Sequence, residues 1–272
     1  MHKKNVMKIL IAGCGNMGLN YAESLLKARL VVKEDILILE KHKPTIENLR
    51  KRDYTLIYES PGDFIQKADV IILSVKPQDW KTLAQSMAEF TEEDQVFVSI
   101  MAGITIGTIQ KDLGRKKIIR AMPNLPSQVG LGMTAYSSAE EVTRGELMFS
   151  QNLLSSTGKT LYLKDEEMIN PATALSGSGP AYIYYFMNAM IETGMEMGFS
   201  YSEAEVMVNQ TFLGSVHLHN QENLNCKEWI SRVASKGGTT EAAIFSFNDD
   251  NVNDKIKNGI KTAFLRAVEL GK

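Results

Sequence analysis

The stretch "RVASKGGTTEAAI" at residues 232–244 places Ser235, Gly237, Gly238, Thr239 and Thr240 within one short segment. Its two glycines leave backbone N–H groups free to converge, and its three hydroxyls stand beside them, so the stretch suits a bound carboxylate. Glu241, Ala242 and Ala243 follow and favour a helix, which puts the loop at a helix N-terminus. Near the other end, Gly13-Cys14-Gly15-Asn16-Met17-Gly18 follows the apolar run Lys8 to Ala12 and opens a helical pattern that runs to about Ala28. Strand, G-x-G-x-x-G and helix in that order mark a dinucleotide site. There Gly13 permits a tight turn, Gly15 admits a pyrophosphate close to the backbone, and Gly18 lets helix and strand pack. The helix start at Asn16 and Met17 presents unpaired N–H groups to phosphates.

The elements that must position these groups can be read in outline. "DILILE", ending at Glu40, "DVIILSV", "VFVSI" and "KIIRA" read as further strands, with helical patterns between them. Strands apolar on both faces that alternate with helices imply a parallel, doubly wound sheet. Ligands of such sheets lie beyond the carboxyl ends of the strands. That rule selects Glu40 to Lys43, Ser74-Val75-Lys76-Pro77, Ala102-Gly103 and Met122-Pro123-Asn124 beside the glycine loop. Glu40 lies 22 positions after Gly18, where an acid bonds the ribose 2′-hydroxyl of NAD. Lys41, His42 and Lys43 could instead neutralise the 2′-phosphate of NADP. The sequence leaves both open.

The β-type signals stop after "KTLYL", and residues 165–272 read as nearly all helix, so the domain boundary falls at 163/164. Pro180 fits the first turn of a helix entered from Ser176-Gly177-Ser178-Gly179 and running to about Gly198. That helix is apolar around much of its surface and has to be buried on all sides, which calls for a subunit interface. Ser202-x-x-Glu205 and Asn225-x-x-Glu228 have the pattern of capping boxes. Ile256, Ile260, Ala263, Ala267 and Leu270 give the last helix an apolar stripe.

Other signals exclude rather than assign. A net charge of −2 favours neither nucleic acid nor an anionic membrane. No run approaches the roughly 20 apolar residues of a membrane span. Two cysteines are too few for a disulfide framework, which together with the lack of a signal-peptide pattern points to the cytoplasm. His217 and His219 diverge on a helix, no zinc spacing is present, and no metal is expected. Ser178 lacks the glycines two positions to either side that a nucleophile elbow needs, since Ser176 and Pro180 occupy those places.

"ALSGSGPAYIYYFMNAMIETGMEMG" followed by "VASKGGTTEAAI" resembles the pyrroline-5-carboxylate reductase family. "GCGNMG", "SVKPQ", "MAGITI" and "IRAMPNLPSQVGLG" stand in that family's order, so the resemblance spans nearly the whole chain. It implies an N-terminal Rossmann-type domain (residues 1–163) and a C-terminal all-helical domain for substrate binding and dimerisation (residues 164–272). Homodimers, or rings of dimers, are implied with it. The implied reaction is hydride transfer from NADPH, or NADH, to the C=N bond of 1-pyrroline-5-carboxylate, giving L-proline. The resemblance assigns the substrate carboxylate to Ser235, Gly237, Gly238 and Thr239, with Thr240 close to the ring nitrogen as the catalytic candidate. It places Val75-Lys76-Pro77 and Ala102-Gly103 along the cofactor, and Ser178, Gly179 and Pro180 near the nicotinamide, with Ser178 also among the substrate-binding residues. Lys236 stands where the family commonly has proline, and Leu125 where it has threonine.

The chemistry also stands without the family. An imine accepts hydride best when protonated, so its site needs orientation and water exclusion more than a strong acid. Hydroxyls without a histidine meet that need. A β-hydroxyacid dehydrogenase would share the glycine loop but would need a lysine on a helix after residues 176–181, and none stands there. A regulatory, non-catalytic NAD(P)-binding relative is the other alternative, and the intact 235–240 motif weighs against it.

Overall fold

A computed structural model describes residues 7–271. They form two compact units, one holding the chain up to Ser178 together with the segment from Ala263 onward, the other holding Gly179–Thr262.

The first unit is built on one eight-stranded sheet. Its strands are β1 (Ile9–Ala12), β2 (Ile36–Leu39), β3 (Ile57–Tyr58), β4 (Val70–Leu73), β5 (Val96–Ser99), β6 (Ile118–Met122), β7 (Gly132–Ser138) and β8 (Gly158–Tyr162), in the order β3-β2-β1-β4-β5-β6-β7-β8. Ordering reverses at β1, between β2 and β4, which makes the carboxyl ends of these strands the expected binding edge. Every residue of β1, β2, β4 and β5 is buried, as continuous Ile, Leu and Val runs require when helices cover both faces. The helices are α1 (Asn16–Lys27), α2 (Lys43–Lys51), α3 (Pro77–Met87), α4 (Ile106–Leu113), α5 (Arg144–Ser155) and the short α6 (Ile169–Ala172). One core lies on either side of the sheet: Ile9, Ile11 and Tyr21 belong to one, Leu10, Trp80 and Phe97 to the other.

The sheet is not wholly parallel. β7 pairs antiparallel with β6, with Ala121 opposite Tyr136, and then parallel with β8. Its sequence, "GMTAYSS", buries Thr134 and Ser137 among apolar neighbours and so lacks the apolar run that identified the other strands.

The second unit contains α7 (Gly179–Glu196), α8 (Tyr201–Gln221), α9 (Cys226–Val233), α10 (Thr239–Asp249) and the first part of α11 (Val252–Leu270). Gly198, at φ +105°, ends α7, and the Phe199 N–H reaches back to the Gly194 carbonyl at 3.1 Å. The capping box that starts α8 is one turn-half earlier than the 202/205 pair. Ser200 is the cap, and its N–H donates to the Glu203 carboxylate at 2.9 Å. Both pairs satisfy the same spacing, and the earlier one prevails because Tyr201 is already helical. Asn225 and Glu228 do form a capping box, at the start of α9.

The core of this unit is small: Ile191, Ala204 and Val208, with Met187 and Phe212 against them. The all-round burial expected for α7 is absent within a single chain. Tyr184 and Tyr185 are 56% and 76% exposed, and Ile183 and Met190 lie open as well. Among the described residues, no helix is long and apolar enough to cross a membrane.

Candidate active site

The glycine loop is fixed by the strands around it. Gly13 takes φ +87°, and its N–H donates to the Leu39 carbonyl at 2.8 Å. A Cβ there would come within 2.7 Å of Val75 Cγ1 and 2.9 Å of the Ser74 carbonyl, so the loop packs directly on the segment that follows β4. A Cβ on Gly18 would collide with the Gly13 carbonyl oxygen, the close helix–strand approach that residue makes possible. Gly15 differs, because a Cβ there would meet nothing within 4 Å. It is the N-cap of α1, which has no side-chain cap, so no side chain takes the first N–H groups of the helix.

Next to this edge lies a cleft of about 450 Å³. It brings together Gly13, Gly15, Glu40, Lys41, Ser74, Val75 and Lys76 from the residues singled out in the sequence. Asn16, Met17 and Gly18 form the first turn of α1 behind the loop, and Pro77 begins α3 behind Lys76. An uncapped helix N-terminus, an open Gly15 and a cleft at the reversal point of the sheet fit the diphosphate and adenosine end of a dinucleotide.

Two features at the end of β2 govern the charge of this cleft. The Glu40 carboxylate is fixed between two backbone donors, Cys14 N–H at 2.9 Å on Oε2 and His42 N–H at 2.8 Å on Oε1. The Lys41 ammonium donates to Asp79 Oδ1 at 3.1 Å, across from β2 to the first turn of α3. Asp79, Thr45, Glu59, Thr82 and Ser86 also line the cleft and were not legible as site residues. Only strand pairing brings α3 beside the end of β2, and no local pattern announces that. Burial, and then the neighbouring Glu40 and Glu23 carboxylates, push the Cys14 thiol up to about 12. It is a neutral packing group under the loop.

Ala102, Gly103 and Asn124 do not line the cleft. Gly103, at φ +76°, packs under the end of α11, where a Cβ would lie 2.6 Å from the Leu270 carbonyl oxygen. Asn124 spends its side-chain amide inside the first unit. Its Nδ2 donates to the Ser176 carbonyl and hydroxyl at 3.2 and 3.3 Å, and its Oδ1 accepts from Met133 N–H at 2.8 Å. It thereby ties the end of β6 to a π-type turn at Thr173–Gly177, closed by Ser178 N–H to the Thr173 carbonyl at 2.8 Å. Arg120, buried in β6, braces the same region by donating to Glu166 at 2.9 Å; Glu166 also accepts the Ile106 N–H that opens α4. Ser178 closes the first unit, and Gly179 and Pro180 begin the second.

In the second unit, the 235–240 stretch forms a turn into α10. Gly237 has φ +75°, and Gly238 is the N-cap, again without a side-chain cap. Gly238 N–H donates to the Ser235 carbonyl at 2.9 Å, and a Cβ on Gly238 would lie 2.8 Å from Ser235 Oγ. Gly237 N–H donates to the Glu241 carboxylate at 2.7 Å. Thr239 and Thr240 occupy the first turn of α10, Thr239 exposed and Thr240 half-buried. Among the described residues, no group of His, Cys, Asp or Glu is arranged to hold a metal ion.

Comparison with known proteins agrees with both regions. Residues 166–270 match the family model described as pyrroline-5-carboxylate reductase dimerisation, so the helical region is one that assembles with a second copy of the chain. Residues 8–103 match the model for NADP oxidoreductase, coenzyme F420-dependent. The solved pyrroline-5-carboxylate reductase of Coxiella burnetii is 29% identical, with TM-score 0.88 over 98% of this chain and 100% of that one. The Plasmodium falciparum pyrroline carboxylate reductase, solved with NADP bound, is 25% identical, with TM-score 0.87 over 98% of both chains. The Aquifex aeolicus pyrroline-5-carboxylate reductase is 35% identical over 97% of each chain. Identity at that level from end to end makes this chain a member of the pyrroline-5-carboxylate reductase family.

Proposed function

We propose that this protein reduces 1-pyrroline-5-carboxylate to L-proline, with NADPH as hydride donor and NADH as a possible substitute. The observation that carries the reading is an open, uncapped glycine-loop helix and a Ser-x-Gly-Gly-Thr-Thr turn on one chain of this family. Family membership removes the β-hydroxyacid dehydrogenase alternative.

In this reading residues 1–163 bind the dinucleotide, and residues 164–272 bind substrate and dimerise. The N–H groups at Gly15, Asn16 and Met17 hold the diphosphate. Glu40 and Lys41 address the adenosine ribose, and Ser74 to Pro77 flank it. Ala102, Gly103, Gly179 and Pro180 shape the nicotinamide end together with Ser178, and Asn124 acts there by holding the Ser176 turn. When bound, the reduced cofactor supplies a hydride to the imine carbon.

The rest of the task belongs to the loop before α10. Ser235, Gly237, Gly238 and Thr239 hold the substrate carboxylate: Ser235 and Thr239 as donors, Gly237 through the N–H that Glu241 now takes, and Gly238 by leaving room beside Ser235 Oγ. The Thr240 hydroxyl oxygen accepts the N–H of the protonated imine and so keeps the electrophilic form in place. Fixing the two reactants in reacting geometry can supply roughly 7 to 11 kcal/mol of the barrier reduction, so no strong acid is required in the loop. The exposed faces of α7 and α8 are the surfaces covered by a second subunit, and pairing of dimers into a ring follows the same logic. The cytoplasm is the proposed compartment, consistent with two free cysteines.

Steady-state assays with pyrroline-5-carboxylate and each reduced cofactor test the activity. Oxidation of cofactor with formation of proline is expected. Well-folded protein that binds cofactor without turnover would favour the regulatory alternative.

A further inference from the structure

We infer that Asp79 sets how strongly this protein discriminates between NADPH and NADH, by drawing the Lys41 ammonium away from the 2′-phosphate position. The inference rests on the reading that the cleft beside β1, β2 and β4 receives the adenosine end of the cofactor.

Two adjacent residues of opposite charge stand at the end of β2. Glu40 is immobilised by Cys14 and His42 N–H groups, yet a carboxylate has about four acceptor sites, so it can still accept from ribose hydroxyls. The same carboxylate repels a phosphate at the 2′ carbon. Lys41 can offset this repulsion, alongside His42 and Lys76 in the same cleft, since its side chain is 77% exposed and hangs on a flexible four-carbon stem. In this structure its Nζ is instead 3.1 Å from Asp79 Oδ1.

Asp79 is anchored independently of Lys41. It lies in the first turn of α3, after Pro77 at the helix start, where the helix dipole favours a negative side chain. Its N–H donates to the Lys76 carbonyl at 2.9 Å, which fixes the backbone beneath it. Asp79 and Lys41 line the same cleft. A 2′-phosphate entering there must first take Lys41 from Asp79. A 2′-hydroxyl need not. Because the pair is largely solvent-exposed it is weak, and its release is expected to change affinity by only about two- to fivefold.

Equilibrium titration followed by nicotinamide fluorescence, with NADPH and NADH separately, tests this on the intact oligomer. Asp79→Asn should lower the Kd for NADPH about two- to fivefold and leave that for NADH unchanged. The gain should vanish when Lys41→Met is added, and should shrink as salt rises. An unchanged ratio of the two Kd values overturns the inference. So does a gain that persists without Lys41, which would assign the effect to the charge of Asp79 alone. Wild-type protein that binds neither dinucleotide would overturn the cleft reading itself, and this inference with it.

Discussion

The Glu241 carboxylate accepts the Gly237 N–H at 2.7 Å, within the turn proposed to hold the carboxylate of the substrate. Glu241 is the third residue of α10, and a carboxylate there also favours the positive end of the helix. The internal acid and the substrate acid therefore compete for one donor. Glu241→Gln keeps the shape but weakens the internal bond and removes the like charge. It is expected to lower KM for pyrroline-5-carboxylate about two- to tenfold, the worth of part of one charge-assisted hydrogen bond. The value of kcat should stay near wild type. A raised KM would show that Glu241 supports the turn and does not compete for it.

Thr240 is the one residue given a direct part in the chemistry. Thr240→Val is close to isosteric and should leave folding and cofactor affinity nearly unchanged. A hydrogen bond with one charged partner is worth roughly 1.5 to 3 kcal/mol, so kcat/KM should fall on the order of 10- to 100-fold. Gly238→Ala should raise KM first, because a Cβ there meets Ser235 Oγ at 2.8 Å. Full activity in Thr240→Val with loss in Gly238→Ala would keep the carboxylate turn and remove Thr240 from catalysis.

Gly18→Ala should weaken cofactor binding along with the packing of α1 against β1. Its Cβ would strike the Gly13 carbonyl oxygen, which is backbone and cannot rotate away. The loop must shift, and titration should show NADPH affinity reduced at least tenfold, about 1.4 kcal/mol. Unchanged affinity would mean that the loop does not hold the cofactor.

The two cysteines should separate on alkylation. Cys226 is exposed and should react with iodoacetamide, whereas Cys14 is buried with its thiol pushed up to about 12 and should not. A thiol raised in the fold contributes stability that is complete below its ordinary value of 9.0 and is lost as pH climbs toward about 12. Melting temperature should accordingly fall above pH 9, and less so in Cys14→Ala. An equal fall in both proteins would contradict the assignment to Cys14.

Legibility in the sequence followed the locality of the cause. β1, β2, β4, β5 and β6 are short apolar runs buried on both faces, and α7 begins at the Gly-Pro step and stops at Glu196 just before Gly198, all of which local pattern records. The polar β7 was hidden because its buried Thr134 and Ser137 break the apolar signal. Arg120 sits within an apolar strand, and its partner Glu166 lies 46 positions away. Nothing in sequence spacing joins them. The same holds for Asp79, which meets Lys41 across 38 positions because β4 lies beside β1 in the sheet and carries α3 toward β2. The glycine loop was legible because backbone approach demands glycine there. The glycines of the 235–240 turn were legible too, but their N–H groups are not free as expected, Gly237 donating to Glu241 and Gly238 to the Ser235 carbonyl.

Direct hydride delivery to the imine carbon is the central claim, and isotope transfer tests it. Pyrroline-5-carboxylate should be incubated with NADPH carrying deuterium at the transferable C4 position, in ordinary water, and the proline examined by NMR. One deuterium at the δ-carbon of proline, retained through repeated turnover, is the predicted result. Proline formed without that deuterium, or no proline at all from protein that binds the cofactor, would contradict the account.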